Sequence, residues 1–228
     1  MKLPISPRLL ACAELVAPGD RVADIGCDHG YLSIHLLSQG IASAVIASDL
    51  REGPLQSAMR NAVKYGVADR IRFFLSDGVT NIPREFVTLI CAGMGADTMI
   101  SILNAAPWLK SDRDRMILQC QSKVPMLRQY LSDHGWHIEK EIVLRDGKFL
   151  YTVMEVLYDP HAPRLSPAQA YFPPALLKNP SPELPAYYSW VTEGLHIATA
   201  HRQEPALCAI LSELRADPTL TFLKEDIL

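Results

Sequence analysis

Val22-Ala23-Asp24-Ile25-Gly26-Cys27-Asp28-His29-Gly30-Tyr31-Leu32 reads as a short apolar strand, a tight turn and the first turn of an amphipathic helix. An acid closes the strand, one glycine follows two positions on and a second comes four later. In an open α/β sheet the crevice at the carboxyl end of such a strand holds a nucleotide-like ligand. Gly26 and Gly30 can adopt backbone angles closed to other residues and admit a ligand close to the main chain. Turns that bind nicotinamide dinucleotides read G-x-G-x-x-G and turn backbone N–H groups toward a pyrophosphate. Here Asp24 and Asp28 place carboxylates where a pyrophosphate would be repelled. S-adenosylmethionine carries an ammonium and a sulfonium and no phosphate, and carboxylates suit both charges.

Working outward, apolar runs and helical segments alternate. Ser6-Pro7 is an N-cap followed by a proline at the first helical position, which predicts a helix to about Val16. Strands are expected at Arg21–Ile25, Ala44–Ser48, Ile71–Leu75, Phe86–Cys91 and Met116–Gln119. Helices are expected at Tyr31–Ser38, Gly53–Tyr65, Ala96–Asn104 and Val124–His134, with Gly40, Gly66 and Gly135 closing three of them. Two alternating runs, Trp136–Leu144 and Phe149–Tyr158, flank Asp146-Gly147, a hairpin signal. Alternating strands and helices imply a parallel sheet of βαβ units with an antiparallel closing hairpin. The fold class is therefore α/β, a Rossmann-like sheet of the class I S-adenosylmethionine-dependent methyltransferase type with a small C-terminal helical domain. Residues 159–185 are rich in proline, and 187–214 read as helix interrupted near Pro205. Two domains are expected, 1–159 and 160–228.

Other strand ends extend the site. Asp49 lies 23 residues after Gly26 and can accept hydrogen bonds from both ribose hydroxyls. Ser76-Asp77-Gly78 follows the third strand. Asp77 suits the adenine amino group, and Gly78 admits the base. Gly93 and Gly95 flank Met94 after the fourth strand, on the substrate side. Cys27 and His29 lie within the first turn, and His29 is placed to touch cofactor or substrate.

The rest of the composition restricts the function classes. The 228 residues are 49% hydrophobic and 21% charged, as in an ordinary folded protein. No apolar run spans a bilayer, and the N-terminus has no signal-peptide core, so no membrane association is expected. Five widely spaced cysteines suggest reduced thiols and a cytoplasmic location. Net charge is −3: residues 1–159 carry 17 Lys+Arg and 18 Asp+Glu, and residues 160–228 carry 5 and 7. RNA contact would rest on local patches such as Lys110, Arg113 and Arg115. His134-x-x-His137 lacks nearby ligands at metal spacing, and no metal is expected. Ser33 lacks a G-x-S-x-G elbow, which excludes that hydrolase class. Nothing sets the oligomeric state; a monomer is compatible.

The chain resembles the TrmK family of bacterial tRNA (adenine-N1)-methyltransferases. The resemblance rests on Ser6-Pro7-Arg8-Leu9, Ala23-Asp24-Ile25-Gly26-Cys27-Asp28-His29, Gly53-Pro54-Leu55-Gln56-Ser57-Ala58, Ala92-Gly93-Met94-Gly95, Leu118-Gln119 and Asp146-Gly147-Lys148. It implies methylation at N1 of adenine 22 of tRNA with S-adenosylmethionine, a catalytic aspartate at Asp28, and Arg8, His29 and Gly95 on the substrate side. It also implies a helical, coiled-coil-like C-terminal domain; in this chain that segment is expected to help position tRNA by shape and orientation, assisted by a few residues such as Lys178 and Arg202. The family's usual Leu-Gln-Pro-Asn reads Leu118-Gln119-Cys120-Gln121 here, and its second glycine after Met-Gly is Ala96. The residues themselves leave open a methyltransferase for a small molecule or protein, and a non-catalytic relative that binds cofactor or RNA.

Overall fold

A computed structural model describes residues 3–202 and 204–225, with the side chains at 202, 224 and 225 outside the description. One mixed sheet carries the strands in the order β3-β2-β1-β4-β5-β7-β6. The strands are β1 (Asp20–Ile25), β2 (Ala42–Asp49), β3 (Ile71–Leu75), β4 (Thr88–Met94), β5 (Arg115–Cys120), β6 (Trp136–Asp146) and β7 (Phe149–Tyr158). The pairs β1–β2, β1–β4, β2–β3 and β4–β5 are parallel, whereas β7 runs antiparallel to both β5 and β6.

Both faces of the sheet are covered, as a parallel sheet requires. Alternation sorts the side chains: Leu89, Cys91, Met116 and Leu118 join one apolar cluster, and Val22, Ile90 and Ile117 join the other. The first cluster lies beneath α4 (Ala96–Asn104) and α5 (Val124–Asp133). The second lies beneath α1 (Pro7–Glu14), α2 (Tyr31–Ser38) and α3 (Glu52–Lys64). Gly40, Gly66 and Gly135 follow three helices at φ between +68° and +82°, the left-handed conformation of a helix stop.

Two expectations shift. The fourth strand starts at Thr88 and continues to Met94, three residues beyond the expected end. Gly93, at φ +79°, forms a bulge: Ala92 pairs with Gln119 and Met94 with Cys120. The buried Gln119 amide oxygen accepts the Gly93 N–H at 3.1 Å and keeps the strand paired across the irregularity. The first helix stops at Glu14, and Ser6 caps it by backbone conformation without a side-chain bond.

Beyond β7 come α6 (Pro167–Tyr171), α7 (Ala175–Lys178), α8 (Leu184–Arg202), α9 (Pro205–Ala216) and α10 (Phe222–Glu225). The proline-rich stretch thus holds two short helices. A capping box starts α6: Ser166 and Gln169 each bond the other's backbone N–H. These helices share a third apolar cluster with Val143 of β6. Arg128 of α5 is fully buried against Glu141 of β6, at 2.6 Å, and also donates to the carbonyls of Ala170 and Tyr171 and to the Tyr187 hydroxyl. Phe172 of the Phe-Pro-Pro run is buried between Tyr187 and Tyr188.

Candidate active site

The carboxyl ends of β1, β2 and β4 surround a cavity of about 480 Å³. Its floor is the turn after β1. Gly26 sits at φ +71°, and a Cβ there would collide with the terminal methyl of Met94. Asp28 adopts φ +49°, a left-handed conformation that aspartate tolerates better than most side chains. Main-chain bonds fix the turn: Cys27 N–H donates to Ser48 O at 2.8 Å, and Gly30 N–H donates to Cys27 O at 2.7 Å.

Asp49 ties two turns together. One carboxylate oxygen accepts the Asp28 N–H at 3.1 Å, and the other accepts the Arg51 N–H at 2.9 Å. Each oxygen keeps a lone pair, and the side chain lines the cavity. Asp24 is buried, and one of its oxygens accepts the Ser33 hydroxyl at 2.6 Å. Burial pushes its pKa up to about 6. The thiols of Cys12, Cys27 and Cys91 near it are likewise pushed up by burial and stay protonated.

The remaining expected residues divide between walls and supports. Cys27, His29, Asp77, Gly78, Gly93, Met94 and Arg8 line the cavity with Asp24, Gly26, Asp28 and Asp49. Ser76 lines it too, but its hydroxyl builds the loop, donating to Gly78 O and accepting the Asn81 N–H, both at 3.0 Å. Gly30 and Gly95 stand outside the walls. A Cβ on Gly30 would come within 2.9 Å of the Ala58 Cβ, so this glycine lets α2 and α3 approach. A Cβ on Gly95 would come within 2.7 Å of the Ser122 hydroxyl. Arg8 reaches the rim from α1, bonded to Asp146 at 2.8 Å and stacked over Tyr151 at 5.0 Å.

The sequence reading missed Leu50, Arg51, Thr98 and Ile102, which line the cavity; Gln121, marked by the departure from Leu-Gln-Pro-Asn after the fifth strand, lines it as well. Leu50 is the one that carried a signal: an apolar residue directly after Asp49, 65% exposed at the mouth. The patch at Lys110, Arg113 and Arg115 lies away from the cavity. Arg115 opens β5 at the opposite end of the sheet and is paired with Glu155 at 3.2 Å. Among the described residues no group of three His, Cys, Asp or Glu could hold a metal ion, and no helix is long and apolar enough to cross a membrane.

Among the described residues, four carboxylates (Asp24, Asp28, Asp49 and Asp77) face a cavity whose arginine and lysine walls are Arg8, held by Asp146, and Arg51, 4.0 Å from Asp49. This suits a cationic nucleoside and opposes a pyrophosphate. The sheet order, the acid-and-glycine turn after β1 and the acid closing β2 define a Rossmann-like methyltransferase domain, and residues 5–154 match the family described as Methyltransferase domain. The chain belongs to the TrmK family.

It is 31% identical over 154 residues to the tRNA (adenine(22)-N(1))-methyltransferase of Bacillus subtilis, a match covering 67% of this chain and 65% of that protein. A similar match covers 61% of MG248 of Mycoplasma genitalium, so the chain spans under two thirds of these curated relatives. Among solved structures, Streptococcus pneumoniae Sp1610 in complex with S-adenosyl-L-methionine superposes with a TM-score of 0.82 at 30% identity, covering 92% of this chain and 98% of that one. The B. subtilis m1A22 tRNA methyltransferase TrmK superposes with a TM-score of 0.77 at 26% identity over the full length of both chains.

Proposed function

We propose that the chain is an S-adenosylmethionine-dependent methyltransferase acting on N1 of an adenine in tRNA, at position 22 by likeness to its relatives. The observation that carries the reading is the position of Asp28, exposed at the cavity mouth on a turn whose main chain is pinned by Asp49. S-adenosylmethionine, when bound, supplies an electrophilic methyl group on a positively charged sulfur. Asp24 would hold the ammonium end, Asp49 the ribose hydroxyls and Asp77 the adenine of the cofactor.

Adenine N1 has a free lone pair, so no general base is needed before attack. The protein's task is to align that nitrogen with the methyl group and exclude other acceptors. The Asp28 carboxylate accepts a hydrogen bond from the exocyclic amino group of the substrate base and stabilises the positive charge developing on the ring. Arg8 and His29 belong to the substrate side, and Gly95, outside the walls, supports it by letting the loop after β4 pack against Ser122. Residues 1–159 supply the chemistry, and 160–228 orient the RNA. In that second segment Lys178 lies 3.8 Å from Glu139, and the side chain of Arg202 falls outside the described residues. The direct test is transfer of labelled methyl from S-adenosylmethionine to unmodified bacterial tRNA, followed by nucleoside analysis. Label in 1-methyladenosine is the expected result; label in another nucleoside, or none, refutes the acceptor assignment.

Two predictions concern the cofactor. Asp49→Ala removes a ribose acceptor and also frees the Asp28 and Arg51 N–H groups. Calorimetry should show S-adenosylhomocysteine binding weakened by about tenfold or more, as expected when hydrogen bonds to a charged group are lost. Wild-type binding of NAD more tightly than of S-adenosylmethionine would overturn the cofactor assignment.

The second follows from Asp24. Below pH 6 its carboxyl is protonated in the unliganded protein and no longer complements an ammonium. Affinity for S-adenosylhomocysteine should therefore be flat above about pH 7 and fall roughly tenfold per unit well below pH 6. Asp24→Asn should abolish that bend, and a wild-type profile flat to pH 5 would contradict the assignment.

A further inference from the structure

A second concavity, of about 540 Å³, opens beside the cofactor cavity. One side is the loop joining β5 to α5, from Gln121 to Pro125; the other is α8 with Tyr171 and the start of α9. Gln121 is a wall of both spaces, so the two adjoin at this residue. Trp190 lies on the α8 side and is 62% exposed, whereas its neighbour Tyr187 is buried, with ring centroids 5.7 Å apart.

Both walls are fixed in advance. Gln121 N–H donates to Met94 O at 2.8 Å and Ala96 N–H donates to Ser122 O at 3.1 Å, tying the loop to the end of β4. Lys123 turns the chain at φ +56°, and its ammonium is held by Asp97 at 2.8 Å. Across the groove, buried Arg128 holds the Tyr171 carbonyl and the Tyr187 hydroxyl against α5. A groove of this size suits one aromatic ligand group. An exposed indole provides a stacking face that every nucleobase can use, and an exposed amide such as Gln121 can pair with a base edge. A polynucleotide whose adenine enters the cofactor cavity must continue past the rim, and on this side it passes Gln121 into the groove.

We propose that the groove between the Gln121–Pro125 loop and α8 is a nucleobase subsite, in which the base next to the methylated adenine stacks on Trp190. This rests on the tRNA reading above and commits the occupant to a base splayed out of its own stack.

The test uses the full-length chain and unmodified tRNA. Comparison with Trp190→Phe isolates the fluorescence of Trp190 from that of Trp108 and Trp136. Transfer RNA should quench that component. Trp190→Ala should raise the Kd and KM for tRNA about tenfold, in the range of base–aromatic stacking, with S-adenosylhomocysteine binding unchanged. Trp190→Phe, which keeps a stacking face, should recover most of that loss. Unquenched Trp190, or wild-type tRNA affinity in Trp190→Ala, overturns the subsite. So does a shift from dimer to monomer in Trp190→Ala, which would make the groove a contact between copies. Quenching without methylation of tRNA would instead overturn the proposed acceptor and leave the subsite standing.

Discussion

Asp28→Asn should lower kcat for tRNA methylation by about a hundredfold or more while the affinity for S-adenosylhomocysteine changes by less than about threefold. Asparagine accepts the same left-handed backbone conformation, so the turn and its main-chain bond to Asp49 survive. What disappears is the negative charge facing the base as its ring becomes cationic, an interaction made mainly in the transition state. Asp28→Ala should show the same division between rate and affinity, with an added loss from strain at φ +49°. Equal losses in rate and affinity would return Asp28 to cofactor binding, and an unchanged rate would remove it from the chemistry.

Glu141→Ala should be among the most destabilising single substitutions in the chain. It leaves the Arg128 guanidinium fully buried with carbonyls and a hydroxyl but no counter-charge. Removing one partner of a buried ion pair costs about 3–5 kcal/mol. For a chain of this size that corresponds to a fall in Tm of roughly 6–20 °C, read by calorimetry. Replacing both residues together, as Arg128→Met with Glu141→Leu, should recover much of the loss. A Glu141→Ala protein as stable as the wild type would show that the pair contributes nothing. The same contacts make α6 and α8 part of the fold that supports α5. A chain ending near Asp159 would strip Arg128 of three of its bonds, so point substitutions are the sounder test of the C-terminal helices.

The parts legible in the sequence are those whose determinants are local. Asp24, Gly26 and Asp28 lie within five residues, and the strand-to-helix alternation around them leaves few sheets to choose from. Asp49 and Asp77 were legible because an acid at a parallel strand's carboxyl end faces the crevice whatever packs elsewhere. Gly26 and Gly30 show the limit. Both are glycines with positive φ, and only the neighbour above each, Met94 or Ala58, separates a cavity floor from a helix contact. The bulge at Gly93 depends on Gln119, and the burial of Arg128 on residues from 13 to 59 positions away. No window of sequence contains both halves of such a pair. The Ser166–Gln169 capping box was local and readable, but the surrounding prolines masked it.

The hairpin at Asp146 has a consequence for biosynthesis. Strand β7 lies between β5 and β6, and Asp146 is the bonded partner of Arg8 across 138 positions. As the ribosome releases the chain from its N-terminus, β1, β2 and β3 can pair early, followed by β4 and β5. The free edge of β5 then waits for residues beyond 149 to emerge, and α1 cannot receive its hairpin contacts before that. The rim of the cavity formed by Arg8, from the first helix synthesised, is thus among the last parts of the catalytic sheet to be completed. The nascent polypeptide has its cofactor-side turns before it has a closed mouth.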